Sequence, residues 1–308
     1  MLKVCSFLPA ATTMIQQLGL DAYLCGVTFE CPSDKPKVVR SHLEGNTLSS
    51  DEIEKVVSGY SRQGKSLYYL DEELLNVLSP DIIFTQEVCE VCQIDLSYVE
   101  KAVSRLKKQP LLIPLTPKNL EDVYQNAITI AKAVNEEQAA YKLLASLKKR
   151  TDYITDKLRA YNAPVKRVMV MEWMKPVYNC GHWIPFQVAL AGGVDMLSNP
   201  SGYSVHVDWD KIINYNPEVL VIAPCGFDIK RTHMELEVLI SRPGWETIKA
   251  VADKKVYLAD ADLFTQPGTK LIDGVELLSA LFHPEIFSMK PQYKQKYSPV
   301  YRQIKVQV

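Results

Sequence analysis

The run Asn135–Tyr161, NEEQAAYKLLASLKKRTDYITDKLRAY, lies almost at the midpoint of a 308-residue chain. Its apolar positions Ala140, Leu143, Leu144, Leu147, Ile154, Leu158 and Tyr161 recur at spacings of three, four and seven, with Thr151 at the one polar step. The residues between them are mostly Lys, Arg, Asp and Glu. The pattern predicts one long helix with a single buried stripe, roughly 40 Å long at ~1.5 Å per residue, enough to cross a small domain and join two halves. Pro164 and the strand-like Val165–Glu172 close it.

Working outward, the chain alternates strands and helices on both sides of this spine. Before it come strand Lys3–Phe7, helix Ala10–Leu18 with the turn Gly19-Leu20-Asp21, strand Tyr23–Val27, helix Asp71–Leu78 stopped by Ser79-Pro80, strand Asp81–Thr85 and strand Leu111–Leu115. After it the same grammar returns: strand Val165–Glu172, helix Pro185–Leu190 with Gly192-Gly193-Val194-Asp195, helix Asp210–Tyr215 stopped by Asn216-Pro217, strand Glu218–Ala223 and strand Lys255–Ala259. This predicts an α/β protein of two similar lobes with parallel-type sheets joined by one long bridging helix. The boundaries are 1–134, 135–161 and 162–287, followed by a tail, 288–308, with five Lys or Arg and no acid, read as a solvated extension.

A formal net charge of -1 favours neither nucleic acid nor an anionic membrane as partner. No apolar run approaches the ~20 residues that span a bilayer. Lys3 followed by Val4–Ala11 resembles a short secretion signal, but Pro9 breaks the run and no clean cleavage site follows, so it is read as the first strand and turn. With 7 cysteines and no export signal, reduced thiols in the cytoplasm are expected, or a periplasmic or extracellular site if a leader precedes this chain.

In open parallel sheets, ligands bind beyond the carboxyl ends of the strands, where loops and helix N-termini gather. That rule selects Glu30-Cys31 and Gln86 to Cys92 from the first half. From the second half it selects Glu172-Trp173, Gly181-His182-Trp183, Cys225-Gly226-Phe227 and Asp260 to Gly268. Trp173 and Trp183 either present an aromatic wall to a planar ligand or fill the core beneath the loops. His182 is a metal ligand, a proton donor or a hydrogen-bonded loop residue. Cys89 and Cys92 form a lone C-x-x-C, which cannot close a metal site alone; with Cys31, His182 or Cys225 it makes a soft-metal site, and otherwise these are free thiols. Cys5 and Cys25 are read as small buried hydrophobes. No phosphate-binding glycine loop, G-x-S-x-G elbow or H-E-x-x-H is present.

The pattern Ser6-Phe7-Leu8-Pro9-Ala10-Ala11-Thr12, with Leu18-Gly19-Leu20 and Gly26-Val27-Thr28, resembles the opening of the iron-siderophore and vitamin B12 class of periplasmic substrate-binding proteins. The likeness runs from about Lys3 to Pro284. Thr28-Phe29-Glu30-Cys31, Thr85-Gln86-Glu87-Val88-Cys89-Glu90-Val91-Cys92, Glu172-Trp173, Gly181-His182-Trp183-Ile184-Pro185, Ala191-Gly192-Gly193, Pro224-Cys225-Gly226-Phe227 and Gln266-Pro267-Gly268 resemble a cobalamin-binding-like branch with cleft cysteines. The resemblance implies the class III two-lobed fold, with a corrinoid (cobalamin-like) or other metal-chelate or tetrapyrrole held between the lobes and an ABC permease as partner. It implies ligand contacts from Glu30, Cys31, Gln86, Glu172, Trp173, His182, Trp183, Ser204 and Phe264, and metal contacts from Cys89, Cys92 and Cys225. Gln266-Pro267-Gly268-Thr269-Lys270 stands where an Arg-Pro-Gly-Pro-Arg run is expected, which removes Arg from that loop. The alternative is a cytosolic enzyme or metal-binding protein using the same cysteines as redox, nucleophilic or metal-ligand groups.

Overall fold

The computed structural model describes residues 1–31, 33–45, 48–63, 65–86 and 96–302. In chain order the first elements are β1 Val4–Ser6, α1 Pro9–Gln17, β2 Leu24–Thr28, β3 Lys37–Ser41, α2 Ser50–Arg62, β4 Tyr68–Leu70, α3 Glu72–Leu78, β5 Ile82–Thr85, α4 Leu96–Val103, β6 Leu111–Pro114, α5 Leu120–Ala133 and α6 Glu137–Ala160. Then follow β7 Lys166–Met171, β8 Trp173–Met174, β9 Val177–Tyr178, β10 Gly181–His182, α7 Ile184–Leu190, β11 Gly193–Val194, β12 Asn199–Pro200, α8 Trp209–Tyr215, β13 Val219–Ile222, α9 Ile229–Glu235, α10 Glu237–Ile240, α11 Lys249–Ala252, β14 Val256–Ala259, α12 Leu271–Phe282 and β15 Tyr297–Pro299.

The chain divides into two compact units: Met1–Pro117 with Glu121–Ala145, and Lys118–Leu120 with Ser146 onward. The helix α6 is shared out between them rather than standing apart. It is the predicted spine, ended on both sides by asparagines in the left-handed region, Asn135 at φ 61° and Asn162 at φ 46°. Ala140, Leu147, Thr151 and Ile154 are buried as the stripe predicts. Tyr161 is exposed instead, because the helix has already ended at Ala160.

Among the described residues, the main sheet of the first unit has the strand order β4-β3-β2-β1-β5-β6 and that of the second β11-β7-β13-β14-β15. Pairing is parallel throughout except at one edge of each, where β4 and β15 run antiparallel. The orders β2-β1-β5-β6 and β11-β7-β13-β14 therefore match, strand for strand.

The match extends to the hydrogen bonds that set the register. Ser79, closing α3, and Asn216, closing α8, both sit near φ 50°, at 49° and 50°, each directly before a proline that cannot continue the helix. Asp81 then donates its N–H to the Lys3 carbonyl at 2.8 Å and accepts the Lys3 N–H at 2.7 Å. Glu218 repeats this with Arg167, at 2.7 and 3.0 Å. The turns after α1 and α7 pass through Gly19 and Gly192 at φ 73° and 83°, where a side chain would be strained.

The cores follow from strands with both faces covered. Phe7, Val38, Val39, Leu75, Ile83, Val99 and Ala102 pack together in the first unit. In the second, Val168–Met171 and Val219–Ile222 are wholly buried, and α12 is apolar almost all round, as a buried helix must be.

The described part of the stretch read as a solvated tail, up to residue 302, is packed. Tyr293 is buried, and Tyr297–Pro299 pairs with β14. Two of its cations meet acids: Lys290 meets Glu276 at 2.7 Å and Lys296 meets Asp260 at 2.6 Å. A net positive count was compatible with docking because the acids lie on the surface it covers.

Candidate functional site

The second unit brings together Glu172, Trp173, His182, Trp183 and Ser204 beyond the end of β7. Glu172 is gripped through its backbone, donating its N–H to Tyr178 at 3.2 Å and accepting the Cys225 N–H at 3.1 Å. Ser204 Oγ donates to Glu172 Oε2 at 2.6 Å and the Gly181 N–H to Oε1 at 3.4 Å. Burial pushes the carboxyl up to about 7, against those two hydrogen bonds. Behind it the buried Cys180 Sγ donates to Asp195 Oδ2 at 3.5 Å. Asp195 also accepts the Val170 and Leu197 N–H groups, and burial holds it at about 6. Burial raises the Cys180 thiol well above its usual range.

These groups brace a shelf. Asn179 is buried and bonds the 197–205 loop three times, donating its amide to the Leu197 carbonyl at 2.5 Å and its backbone N–H to the Val205 carbonyl at 3.1 Å, and accepting the Val205 N–H at 2.7 Å. A Cβ on Gly181 would come within 2.5 Å of the Gly202 carbonyl and the Ser204 nitrogen, so only glycine lets β10 lie this close to the loop.

On the shelf His182 takes a left-handed backbone, φ 52°, uncommon outside glycine, though His shares with Asn and Asp a greater tolerance for it. Its ring stacks on Trp183, centroids 5.1 Å apart at 26°, and meets the exposed Tyr203 edge-on at 5.3 Å and 90°. No described side chain or carbonyl hydrogen-bonds the imidazole, and burial lowers its pKa, which keeps it neutral. Trp173 is half-buried against Phe227, centroids 5.2 Å apart, and Arg231 lies over the Phe227 ring at 4.1 Å. Cys225 is exposed at the same strand end.

Two expected ligand contacts turn out to lie underneath. Phe264 has no exposed surface and Trp183 only 4%, with the indole N–H bonded to the Phe264 carbonyl at 2.6 Å. They are the floor on which His182 rests. Gln187 shapes the adjoining loop by donating to the Leu263 and Leu271 carbonyls at 2.9 and 2.7 Å. Cys180, Asp195, Gln187 and Tyr203 were not singled out from sequence: Asp195 reads as a turn residue and Tyr203 as ordinary loop, and only Cys180, adjoining the His182 motif, carried any signal.

In the first unit the strand ends carry less. Glu30 keeps an exposed surface, while Cys31 is buried, hydrogen-bonded to Thr12 Oγ1 at 3.0 Å and raised by burial. Gln86 is buried beside Thr85, and among the described residues Gln86 Oε1 and Thr85 Oγ1 have no hydrogen-bond partner. Cys89 and Cys92 lie outside the described residues. Among the described residues no three His, Cys, Asp or Glu side chains are placed to hold a metal ion, and the set expected of Cys225 with Cys89 and Cys92 lies partly outside them.

A family model described as periplasmic binding protein matches residues 32–263. The chain belongs to that family. Among curated relatives, an uncharacterized ABC transporter substrate-binding lipoprotein of Bacillus subtilis, YvrC, is 24% identical over 292 residues, covering 92% of this chain and 81% of its own. Among solved structures, the periplasmic heme binding protein of Pseudomonas aeruginosa superposes with a TM-score of 0.67 at 16% identity, over 94% of this chain and 95% of that one. The periplasmic vitamin B12 binding protein of Vibrio cholerae gives 0.60 at 17%, over 92% and 96%. At such identity these two speak for the fold, and the fold is that of the family, with the class III neighbours' α/β architecture. The cytoplasmic placement expected above draws no support from these relatives, and no helix among the described residues is long and apolar enough to cross a membrane.

Proposed function

We propose that this chain is the substrate-binding component of an ABC transporter, that it works outside the cytoplasm, and that it hands an iron-siderophore, haem or vitamin B12 type of ligand to a permease. Family membership and the Bacillus subtilis relative support the transport role. Within that ligand range we take a corrinoid as first choice.

The observation that carries the ligand class is the His182 imidazole, neutral, without a protein partner among the described residues, and held rigidly between Trp183 and Tyr203. A neutral imidazole is a strong donor to a transition metal, and an indole such as Trp173, at the same end of the second unit, offers a flat face to a large planar chelate. Ser204 and Glu172 supply the polar edge. Near pH 7 the carboxyl can sit protonated as a donor or ionised as an acceptor. The cysteine-enzyme alternative gains nothing from Cys31 and Cys180, since burial raises both thiols and a nucleophile needs the reverse.

Titrating the purified protein with cob(III)alamin, haemin and a ferric siderophore, followed in the visible range, tests the reading. One of the three shifting its band at micromolar protein supports it. All three passing through a size-exclusion column unbound overturns it.

A further inference from the structure

Cys5 and Cys25 lie side by side on neighbouring strands, with Sγ atoms 3.6 Å apart. Adjacent strands are about 4.8 Å apart, inside the roughly 4.4–6.8 Å over which Cα atoms are bridged by a disulfide. The register of β1 against β2 slips between Val4 and Cys5, so that Cys5 pairs with Gly26 and Cys25 falls in the irregularity. There the strand is free to turn its side chain toward a neighbour. Gly26 leaves the room: a Cβ on it would stand 2.9 Å from Cys5 Sγ. Cys5 is fully buried and Cys25 partly exposed, so one sulfur is reachable from solvent and the other waits behind it. The other described thiols are placed differently, the buried Cys31 against the Thr12 hydroxyl, the buried Cys180 against Asp195, and Cys225 exposed.

We propose that Cys5 and Cys25 are a dithiol built to close into a disulfide, with Cys25 attacking and Cys5 resolving, in exchange with a small-molecule or protein disulfide. Cys25 thiolate attacks one sulfur of the oxidant, forms the mixed disulfide and expels the first thiolate. Cys5 then gives up its proton, attacks Cys25 Sγ and expels the second. Two electrons pass from the cysteines to the oxidant, which leaves as two thiols. The order of attack agrees with the hydrogen bond from Cys5, which lowers the Cys25 thiol against the effect of burial, with Lys3 adding to it. Cys5 is raised by the same bond and by burial. The bridge would pin β1 to β2 below the loops that carry Glu30 and Cys31. It is independent of which ligand the protein carries.

The test uses the full chain in oxidised glutathione, quenched in acid, unfolded in guanidinium and alkylated. Cys5, Cys25 and Cys31 share one tryptic peptide, so chymotrypsin, which cuts after Phe7 and Tyr23, is used before mass analysis. The expected result is a linked Cys5–Cys25 peptide pair lighter by two hydrogens, lost in Cys25→Ser and restored to free thiols by dithiothreitol, while Cys31 and Cys180 stay alkylated. Cys5→Ser, if it folds, should instead trap glutathione on Cys25. Wild-type protein with Cys5 and Cys25 both alkylated after oxidation, or with Cys25 linked to Cys31, overturns the proposal.

Discussion

After β1 only Phe7 and Leu8 separate the strand from α1, whereas after β7 the chain runs from Glu172 to Trp183 before α7 begins. The two strands hold the same place in their sheets, with the same neighbours and the same acid-to-backbone clasp at the opposite end. Both units thus share a framework, and the second has lodged β8, β9 and β10 in the longer connection, with β8 paired to β9 and β10 reaching β12 beyond β11. Glu172, Trp173, His182 and Trp183 all belong to that inserted segment. A duplicated scaffold keeps its packing in the repeated part and gathers its chemistry where the copies differ, because loops tolerate length changes that strands do not.

The largest expected effect comes from breaking the inserted segment itself. Gly181→Ala forces a methyl against backbone that cannot yield cheaply, and should destabilise the second unit by about 3 kcal/mol in urea unfolding. Gly59→Ala in α2, where nothing lies within 4 Å of the new Cβ, should stabilise the first by about 0.5–1 kcal/mol.

Next comes the part of α6 that belongs to the second unit. Arg150 reaches Asp273 at 2.5 Å and Glu276 at 2.8 Å. Burial would raise Glu276, but its bonds to Arg150, Lys290 and Tyr293 prevail and hold it at about 2. Arg150→Ala should cost about 2 kcal/mol, between the values for exposed and for buried pairs. Lys148→Ala, which removes only the exposed pair with Asp152, should move the unfolding midpoint hardly at all.

The pH dependence separates these two carboxylates. Glu172 binds its proton more tightly folded than unfolded, so its contribution is most favourable below the ordinary carboxylate range and is lost as pH rises through about 7. Glu276 is depressed, so its contribution is present above the ordinary range and is lost as pH falls toward about 2. Glu172→Gln should flatten the decline between pH 4.5 and 7 by roughly 1–2 kcal/mol, taking ~1.36 kcal/mol per unit and discounting for partial exposure. A decline that stays as steep in the variant would assign it elsewhere, to Asp195 or to Glu30, both raised by burial. A smaller effect tests the repeat: Asp81→Asn and Glu218→Gln should each cost about 0.5–1 kcal/mol, Asp81→Asn at the upper end because it also loses the exposed pair with Lys108 at 2.6 Å.

Much of this was legible in the sequence, because it rests on periodicity and punctuation. The spine helix, the strand-helix alternation and the paired stops at Ser79-Pro80 and Asn216-Pro217 each carry a local signal. The ladders around His182 carry none, since two-residue strands have no period to read. β15 was hidden by the positive charge of its segment, whose acidic partners lie far off in the chain. For the site, Glu172 with Ser204 and His182 beside Trp183 came together, while Phe264 and Trp183 proved to be support. An aromatic residue in a loop reads the same from sequence whether it lies above the surface or beneath it.

In the proposed function His182 is the metal-facing group, and a paired titration of wild-type protein and His182→Ala with the ligand that binds tests this most directly. The variant should bind roughly 30-fold more weakly, about 2 kcal/mol, and lose the spectral change that marks imidazole ligation. A His182→Ala protein with the affinity and the spectrum of the wild type would contradict it.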